Sequence, residues 1–172
     1  MNCLIIKDKR KFCGNYTWFT RVFLFFMLHT IIFDEHNKPD EQEKQQLVDF
    51  LHDQLEQYGD PKQQIRRAID YALREFDSYG GFVMILKQEQ KTRAAVVINR
   101  TGMDGYIPEN ILVYIAVDRN SRGEGLGREL MTQAIAHATG DIALHVEANN
   151  PAKILYEKLG FTNPYLEMRL KK

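Results

Sequence analysis

The stretch VDRNSRGEGLG, from Val117 to Gly127, constrains the fold more than any other part of the 172-residue chain. It follows an apolar, β-branched run, Ile111 to Val117, that reads as a strand. It precedes Leu126, Leu130, Met131, Ala134 and Ile135, which recur at helical spacing. A strand therefore passes into a helix through Gly123, Gly125 and Gly127. Such a turn leaves the first backbone N–H groups of the helix unpaired, beside the positive end of its dipole, and this arrangement receives phosphate. The glycines let an anion approach the backbone with no Cβ in the way. Arg122 adds a fixed positive charge and a planar fork of donors.

Spacing narrows the ligand. An ATP-type loop needs Lys followed by Ser or Thr after its last Gly, whereas Arg128 and Glu129 follow Gly127. The dinucleotide fingerprint lacks its third Gly, although Glu147 lies about twenty residues on, where that fold keeps a ribose-binding acid. A glycine-rich loop with no ligand is the plainest reading, but three glycines cost conformational entropy that an ordinary turn avoids. The remaining pattern, R-x-x-G-x-G at Arg122, Gly125 and Gly127 behind a strand ending Ile115-Ala116-Val117, resembles the GNAT superfamily of N-acetyltransferases. A later block agrees: Asn149, Asn150, Pro151 and Ala152, then LYEKLGF from Leu155 to Phe161. The resemblance is strong from Ile111 to Phe161 and extends by element order from Leu28 to Leu170.

The resemblance implies an α/β (α+β) fold with a mixed, mostly antiparallel central sheet flanked by about four helices. Residues 27–172 would form that domain, and residues 1–26 an N-terminal extension. Acetyl-coenzyme A would be the co-substrate, with no metal, held by Ile115, Ala116, Val117, the loop Arg122, Gly123, Glu124, Gly125, Leu126, Gly127 and Arg128, and by Asn149, Asn150 and Tyr156. Free backbone N–H groups at Ala116 and Val117 would steady the carbonyl oxygen. Tyr156 matches the family's tyrosine, which protonates the leaving thiolate, although a tyrosine on a short helix is by default a packing residue. For the base that deprotonates the ammonium, the chain offers His145, whose ordinary pKa suits the task, ahead of Glu109 and Glu147. From Asn150 to Tyr156 is one residue shorter than the commonest family spacing, and Asn149 restores it. The acceptor would be a small-molecule amine or a protein amine. A catalytically inactive acyl-coenzyme A-binding regulatory domain is the alternative.

Twenty-three basic and 23 acidic residues cancel, so no overall field argues for nucleic acid or an anionic membrane. Cys3 and Cys13 lie outside the region of resemblance, so no disulfide framework holds the fold, which suits a cytoplasmic protein. Lys7, Lys9, Arg10 and Lys11 precede an aromatic tract, Trp18 to Phe33, in the order of a signal peptide or anchor. Arg21, His29 and Thr30 interrupt it, and as a helix it would span about 24 Å, short of the roughly 30 Å hydrocarbon core. A non-native or upstream-initiated extension and an extra packed element both remain open. Met27 begins a stretch, LHTIIF, that fits a first strand.

Asp40 and Glu43 form a capping pattern for a helix with Leu47, Leu51, Leu55 and Tyr58 on one stripe. Asp60-Pro61 reads as the cap and start of a second helix carrying Ile65, Ala68, Ile69, Ala72, Leu73 and Phe76, ended by Gly80-Gly81. Phe82 to Leu86 and Ala94 to Ile98 read as paired strands, and Ile142 to Val146 as a further strand. Asn150 caps a short helix from Pro151 to Leu159. Tyr165 to Leu170 reads as the last strand, shorter than the family's hairpin, so a second copy in a homodimer can close that side. Asp34, Glu35, Asp40, Glu41, Glu43, Asp49, Asp53, Glu56 and Asp60 face only Lys38 and Lys44 in the first helical region. A solvated face is the plainer reading; the resemblance instead makes this a wall of the acceptor pocket, favouring a cationic amine.

Overall fold

The computed structural model describes residues 28–170 and 172; residues 1–26, read from the sequence as an extension, and most of the aromatic tract lie outside the described residues. Five strands form one sheet in chain order: β1 (Leu28–Phe33), β2 (Gly81–Gln88), β3 (Lys91–Arg100), β4 (Asn110–Val117) and β5 (Ile142–Leu144). The first three pairings are antiparallel and β4–β5 is parallel. Helices α1 (Glu41–Leu55) and α2 (Lys62–Ala72), joined by a 3₁₀ turn at Glu56–Tyr58, cover one face. Helices α3 (Leu126–His137) and α4 (Ala152–Lys158) cover the other.

Two cores follow from the two-residue period of the strands. Val83, Ile85, Ala95 and Val97 pack beneath Leu47, Leu51, Ile65 and Ile69. Met84, Leu86, Val96 and Ile98 pack beneath Leu126, Leu130 and Met131. Because β2 and β3 are covered on both faces, they read as unbroken apolar runs rather than as alternating ones. The capping box at α1 forms as its residues predict: Glu43 N–H donates to the Asp40 carboxylate at 2.7 Å, and Asp40 N–H donates to Glu43 at 3.2 Å. Lys44 is buried between α1 and α2 and meets Asp70 and Glu75, each at 3.1 Å.

Three expectations of element length are corrected. Helix α2 ends at Ala72, not at Gly80, and Phe76 is exposed rather than part of the stripe. Glu75 N–H donates to the Asp70 carbonyl and Arg74 N–H to the Tyr71 carbonyl, a Schellman closure with Arg74 in the left-handed position at φ 53°. No glycine marks that stop in the sequence. Strand β5 ends at Leu144, leaving His145 and Glu147 in a loop. Tyr165 to Leu170 forms no strand and pairs with none among the described residues, since a three-residue β5 offers little edge, and Leu166, Met168 and Leu170 stand in solvent. Among the described residues, no helix is long and apolar enough to cross a membrane.

One irregularity positions the site. Val97 lies opposite Tyr114 and Ile98 opposite Leu112, so Val113 has no partner and β4 bulges there. Strand β5 pairs only with Asn110, Ile111 and Leu112, before the bulge. Beyond it the two strands diverge.

Candidate active site

The divergence opens a cleft of about 860 Å³ floored by Ile111 to Val117. One wall carries Leu55, Glu56 and Asp60 from the α1–α2 connection, and the other carries residues from His145 to Tyr156. A pocket of about 130 Å³ at the opposite end of the sheet, among Asp34, His36, Arg100 and His137, is lined by none of the residues from Val117 to Gly127.

The glycine loop enters this cleft through Val117 and Arg122. Gly123 at φ 82° and Gly125 at φ 93° hold left-handed conformations that a side chain would strain. Gly125 is also the N-cap of α3, with no side-chain cap. The Glu129 N–H donates to the Gly125 carbonyl at 3.0 Å, so the N–H groups of Leu126, Gly127 and Arg128 precede the first intrahelical bond. These outward donors suit a pyrophosphate. Arg122 is less free than its place in the sequence suggests. Its guanidinium donates to the Gln54 carbonyl at 2.7 Å and meets Glu56 at 3.3 Å, while Arg119 donates to the Asp53 carbonyl at 2.8 Å. Both arginines bind the carbonyl end of α1, where the helix dipole is negative. The exposed Arg128 has no ion-pair partner among the described residues.

Sequence reasoning passed over Asp118, which anchors the loop to the sheet. Its buried carboxylate meets Arg93 at 2.8 Å and Lys91 at 3.1 Å and accepts from the Asn120 N–H at 3.2 Å. Burial alone would raise its pKa; the Asn120 N–H, Lys91 and Arg93 outweigh burial and hold it below the usual carboxylate range. A depressed carboxylate contributes stability above its unfolded pKa, about 3.9, and loses it as pH falls through the lower folded value. Asp118→Asn is therefore expected to cost about 1–3 kcal/mol near pH 7. The gap to the parent should shrink below about pH 4 in denaturant melts; a constant gap down to about pH 2 would remove the charge from the explanation.

The strand donors differ by one residue from expectation. Asp118 N–H donates to the Arg93 carbonyl at 2.8 Å, and Ala116 pairs with Ala95 in the same ladder. Alternation then turns Ala116 toward β3 and leaves the N–H groups of Ile115 and Val117 facing the cleft. The single-sequence reading could not see this, because the bulge sets the phase.

Tyr156 is 7% exposed and lines the cleft, and its hydroxyl makes no hydrogen bond among the described residues. Burial pushes its pKa up to about 12, so it stays protonated at neutral pH. His145 and Glu147 also line the cleft; the His145 ring, more than half exposed, lies 3.7 Å from Glu167. Glu109 is turned away and accepts from the Asp141 N–H at 2.6 Å. Asn150 accepts from the Ala152 N–H at 2.9 Å, fixing the start of α4, and Asn149 is exposed beside it. Asp60 does not cap α2; it accepts from the Tyr114 hydroxyl at 2.7 Å.

A family model for the acetyltransferase (GNAT) domain matches residues 79–163, which run from β2 through the glycine loop to the end of α4. Residues 79–163 carry a GNAT acetyltransferase domain. The GNAT fold recurs among solved structures. A possible acetyltransferase from Clostridium difficile 630 aligns with a TM-score of 0.62 at 16% identity, covering 85% of this chain and 97% of that one. The ribosomal-protein-S18-alanine N-acetyltransferase of Escherichia coli aligns at 0.57 and 20% identity, covering 80% of each chain. An aminoglycoside acetyltransferase from an uncultured soil metagenomic sample aligns at 0.59 and 14% identity, covering 84% and 98%. At these identities the likeness is one of fold. No curated protein matches the chain. The mostly antiparallel sheet and four helices are those the GNAT resemblance implies.

Proposed function

We propose that this GNAT protein moves the acetyl group of acetyl-coenzyme A to a primary amine by direct transfer. The observation that carries the reading is the uncapped start of α3 behind Gly123 and Gly125, next to a cleft lined by Val117, Arg122 and Tyr156, whose hydroxyl has no hydrogen-bond partner among the described residues. The backbone of Gly123 to Arg128, with Arg122 shaping the loop, would hold the pyrophosphate; Ile115, Ala116, Val117, Asn149, Asn150 and Tyr156 would line the rest of the coenzyme. When bound, acetyl-coenzyme A supplies an activated thioester.

Three protein contributions follow from the geometry. The Ile115 and Val117 N–H groups face the cleft and would donate to the carbonyl oxygen as negative charge grows there. His145, or water beside it, would take the ammonium proton, freeing the nitrogen lone pair to attack the carbonyl carbon. As the carbon–sulfur bond breaks, Tyr156 would give its proton to sulfur and recover one from the newly bonded nitrogen through water. The net products are an amide, a thiol and one proton. Burial keeps Tyr156 protonated at neutral pH, so its proton is present when sulfur departs.

The domain that acts would be residues 27–172, with residues 1–26 an extension, working in the cytoplasm, where coenzyme A is plentiful. The acceptor would be a small amine or a protein amine, and a second copy could meet the exposed tail at Leu166 to Leu170. Calorimetry with acetyl-coenzyme A and thiol release over an amine panel test the reading. Saturable binding and acceptor-dependent thiol release are expected. Binding with no release from any amine would point to an inactive acyl-coenzyme A-binding domain, and no binding would sink the assignment.

A further inference from the structure

We propose that Asp60, held by the Tyr114 hydroxyl, receives a positively charged group of the acceptor, so that the preferred acceptors are amines carrying a second cationic group. The inference rests on the acetyltransferase reading of the cleft and names its substrate class.

An aspartate just before a helix ordinarily caps it. Here Pro61 is the N-cap of α2, with no side-chain cap, and the Asp60 carboxylate instead accepts from Tyr114, with its Oδ2 2.7 Å from the hydroxyl. Tyr114 is 8% exposed and rooted in the core beneath α1 and α2, at the bulge of β4. Burial and the neighbouring carboxylate both raise its pKa, so it remains a donor. A ring fixed by the core thus fixes the direction of a carboxylate that is itself exposed to the cleft. Tyr114 lies two residues before Ala116 on the strand floor, about 7 Å along it. Asp60 and the strand residues Ile115 and Val117 therefore line one cleft, within which a short diamine can meet both.

Charge accounts for why a cation belongs there. The cleft is lined by the carboxylates Glu56, Asp60, Glu147 and Glu167 and by the guanidiniums Arg122 and Arg169. Glu56 pairs with Arg122 at 3.3 Å, and Glu167 pairs with Arg169 and with His145. Asp60 and Glu147 have no cationic partner among the described residues. Most other acidic residues of the first helical region are consumed on the outer surface, as in Asp49 with Lys62 at 2.6 Å and Glu41 with Arg66. The acidic wall expected from the sequence is thus mostly a solvated face, and Asp60 is its member turned to the cleft without a cation. Tyr156, a residue 7% exposed whose hydroxyl has no partner among the described residues, independently marks this cleft as a ligand site. Asp60 takes no part in the bond changes; it binds, and Tyr114 positions it.

The test uses the full chain with 1,4-diaminobutane and n-butylamine as probes. Calorimetry measures each amine's affinity without acetyl-coenzyme A, and thiol release gives kcat and KM with it. The diamine should bind about tenfold or more tightly than the monoamine, as one added charge-assisted hydrogen bond implies. Asp60→Asn should weaken the diamine about 10- to 100-fold and raise its KM, with kcat and the monoamine within about threefold. Tyr114→Phe, which keeps the ring, should raise the diamine KM by about threefold to tenfold with kcat preserved. Equal affinity for the two amines, or a diamine affinity untouched by Asp60→Asn, overturns the proposal. Asp60-dependent diamine binding without thiol release leaves it standing and overturns the acetyltransferase reading instead.

Discussion

Replacing Tyr156 with Phe is expected to lower turnover about 10²- to 10⁴-fold, the usual consequence of losing a general acid. The ring stays wedged where it is: Tyr156 packs in the α3-side core and meets Phe161 edge to face at 5.9 Å. Its hydroxyl makes no hydrogen bond among the described residues, so removing it breaks no structural partner, and stability should stay within about 0.5 kcal/mol. Coenzyme affinity should hold as well, because the donors suited to the pyrophosphate belong to the start of α3 and not to α4. The discriminating measurement is single-turnover acetyl transfer beside calorimetry on the same variant. A Phe variant within about threefold of the parent, under conditions where chemistry limits the rate, would remove Tyr156 from proton transfer. A joint loss of kcat and melting temperature would make it a packing residue.

Gly127→Asp is expected to abolish acetyl-coenzyme A binding, by at least about 100-fold, since a like charge against an anionic ligand costs several kcal/mol. The fold should tolerate it. Gly127 has an ordinary helical conformation, and an added Cβ meets Leu155 and Val117 at 3.4 Å, within normal contact. An aspartate in the first turn also suits the helix dipole, worth about 0.3–1 kcal/mol. Gly125→Asp puts the same charge in the loop but also forces a side chain into φ 93°, which costs about 1–2 kcal/mol. Binding should thus vanish in both variants, and the melting temperature should fall in the second alone. Calorimetry and thermal melts read the two effects separately. Full affinity in Gly127→Asp would take the loop out of the coenzyme site.

The cleft beside these residues takes its shape from a single unpaired residue. With Val113 bulged, β4 bends away after Leu112, and the N–H groups of Ile115 and Val117 lose the strand partner they would have in a regular parallel pair. Buried backbone donors without partners are costly. A site that keeps two of them facing a cleft is prepared for an acceptor atom from a ligand.

Much was legible in the residues alone, because it rested on local rules. The strand Ile111–Val117, the glycine turn and the helix beginning at Leu126 follow from a switch of apolar period across three glycines. The capping box at Asp40 and Glu43, the first strand at Leu28 and the Asn150 bond at the start of α4 are equally local, each a side chain acting within a few positions of its own backbone. Residues 1–26 carried a pattern whose outcome lies outside the described residues.

Other features depended on which surfaces meet. Helix α2 stops at Ala72 through carbonyls closed by Arg74 and Glu75 with no glycine to announce it, and Arg74 is held by Glu35, 39 positions away in the chain. Tyr165 to Leu170 alternates like a strand yet joins no strand among the described residues, because alternation supplies a face but no edge to bond to. Asp60 beside a proline looks like a cap until Tyr114, 54 positions away, offers a hydroxyl fixed by the core. Asp118 and Arg122 likewise take their roles from Arg93 and from the carbonyl end of α1. Backbone period and glycine geometry are properties of neighbours in sequence, so the chain alone determined the loop that suits a phosphate. The direction in which a charge points is set by its partner, and those partners were brought together by burial of the sheet between its two helical layers.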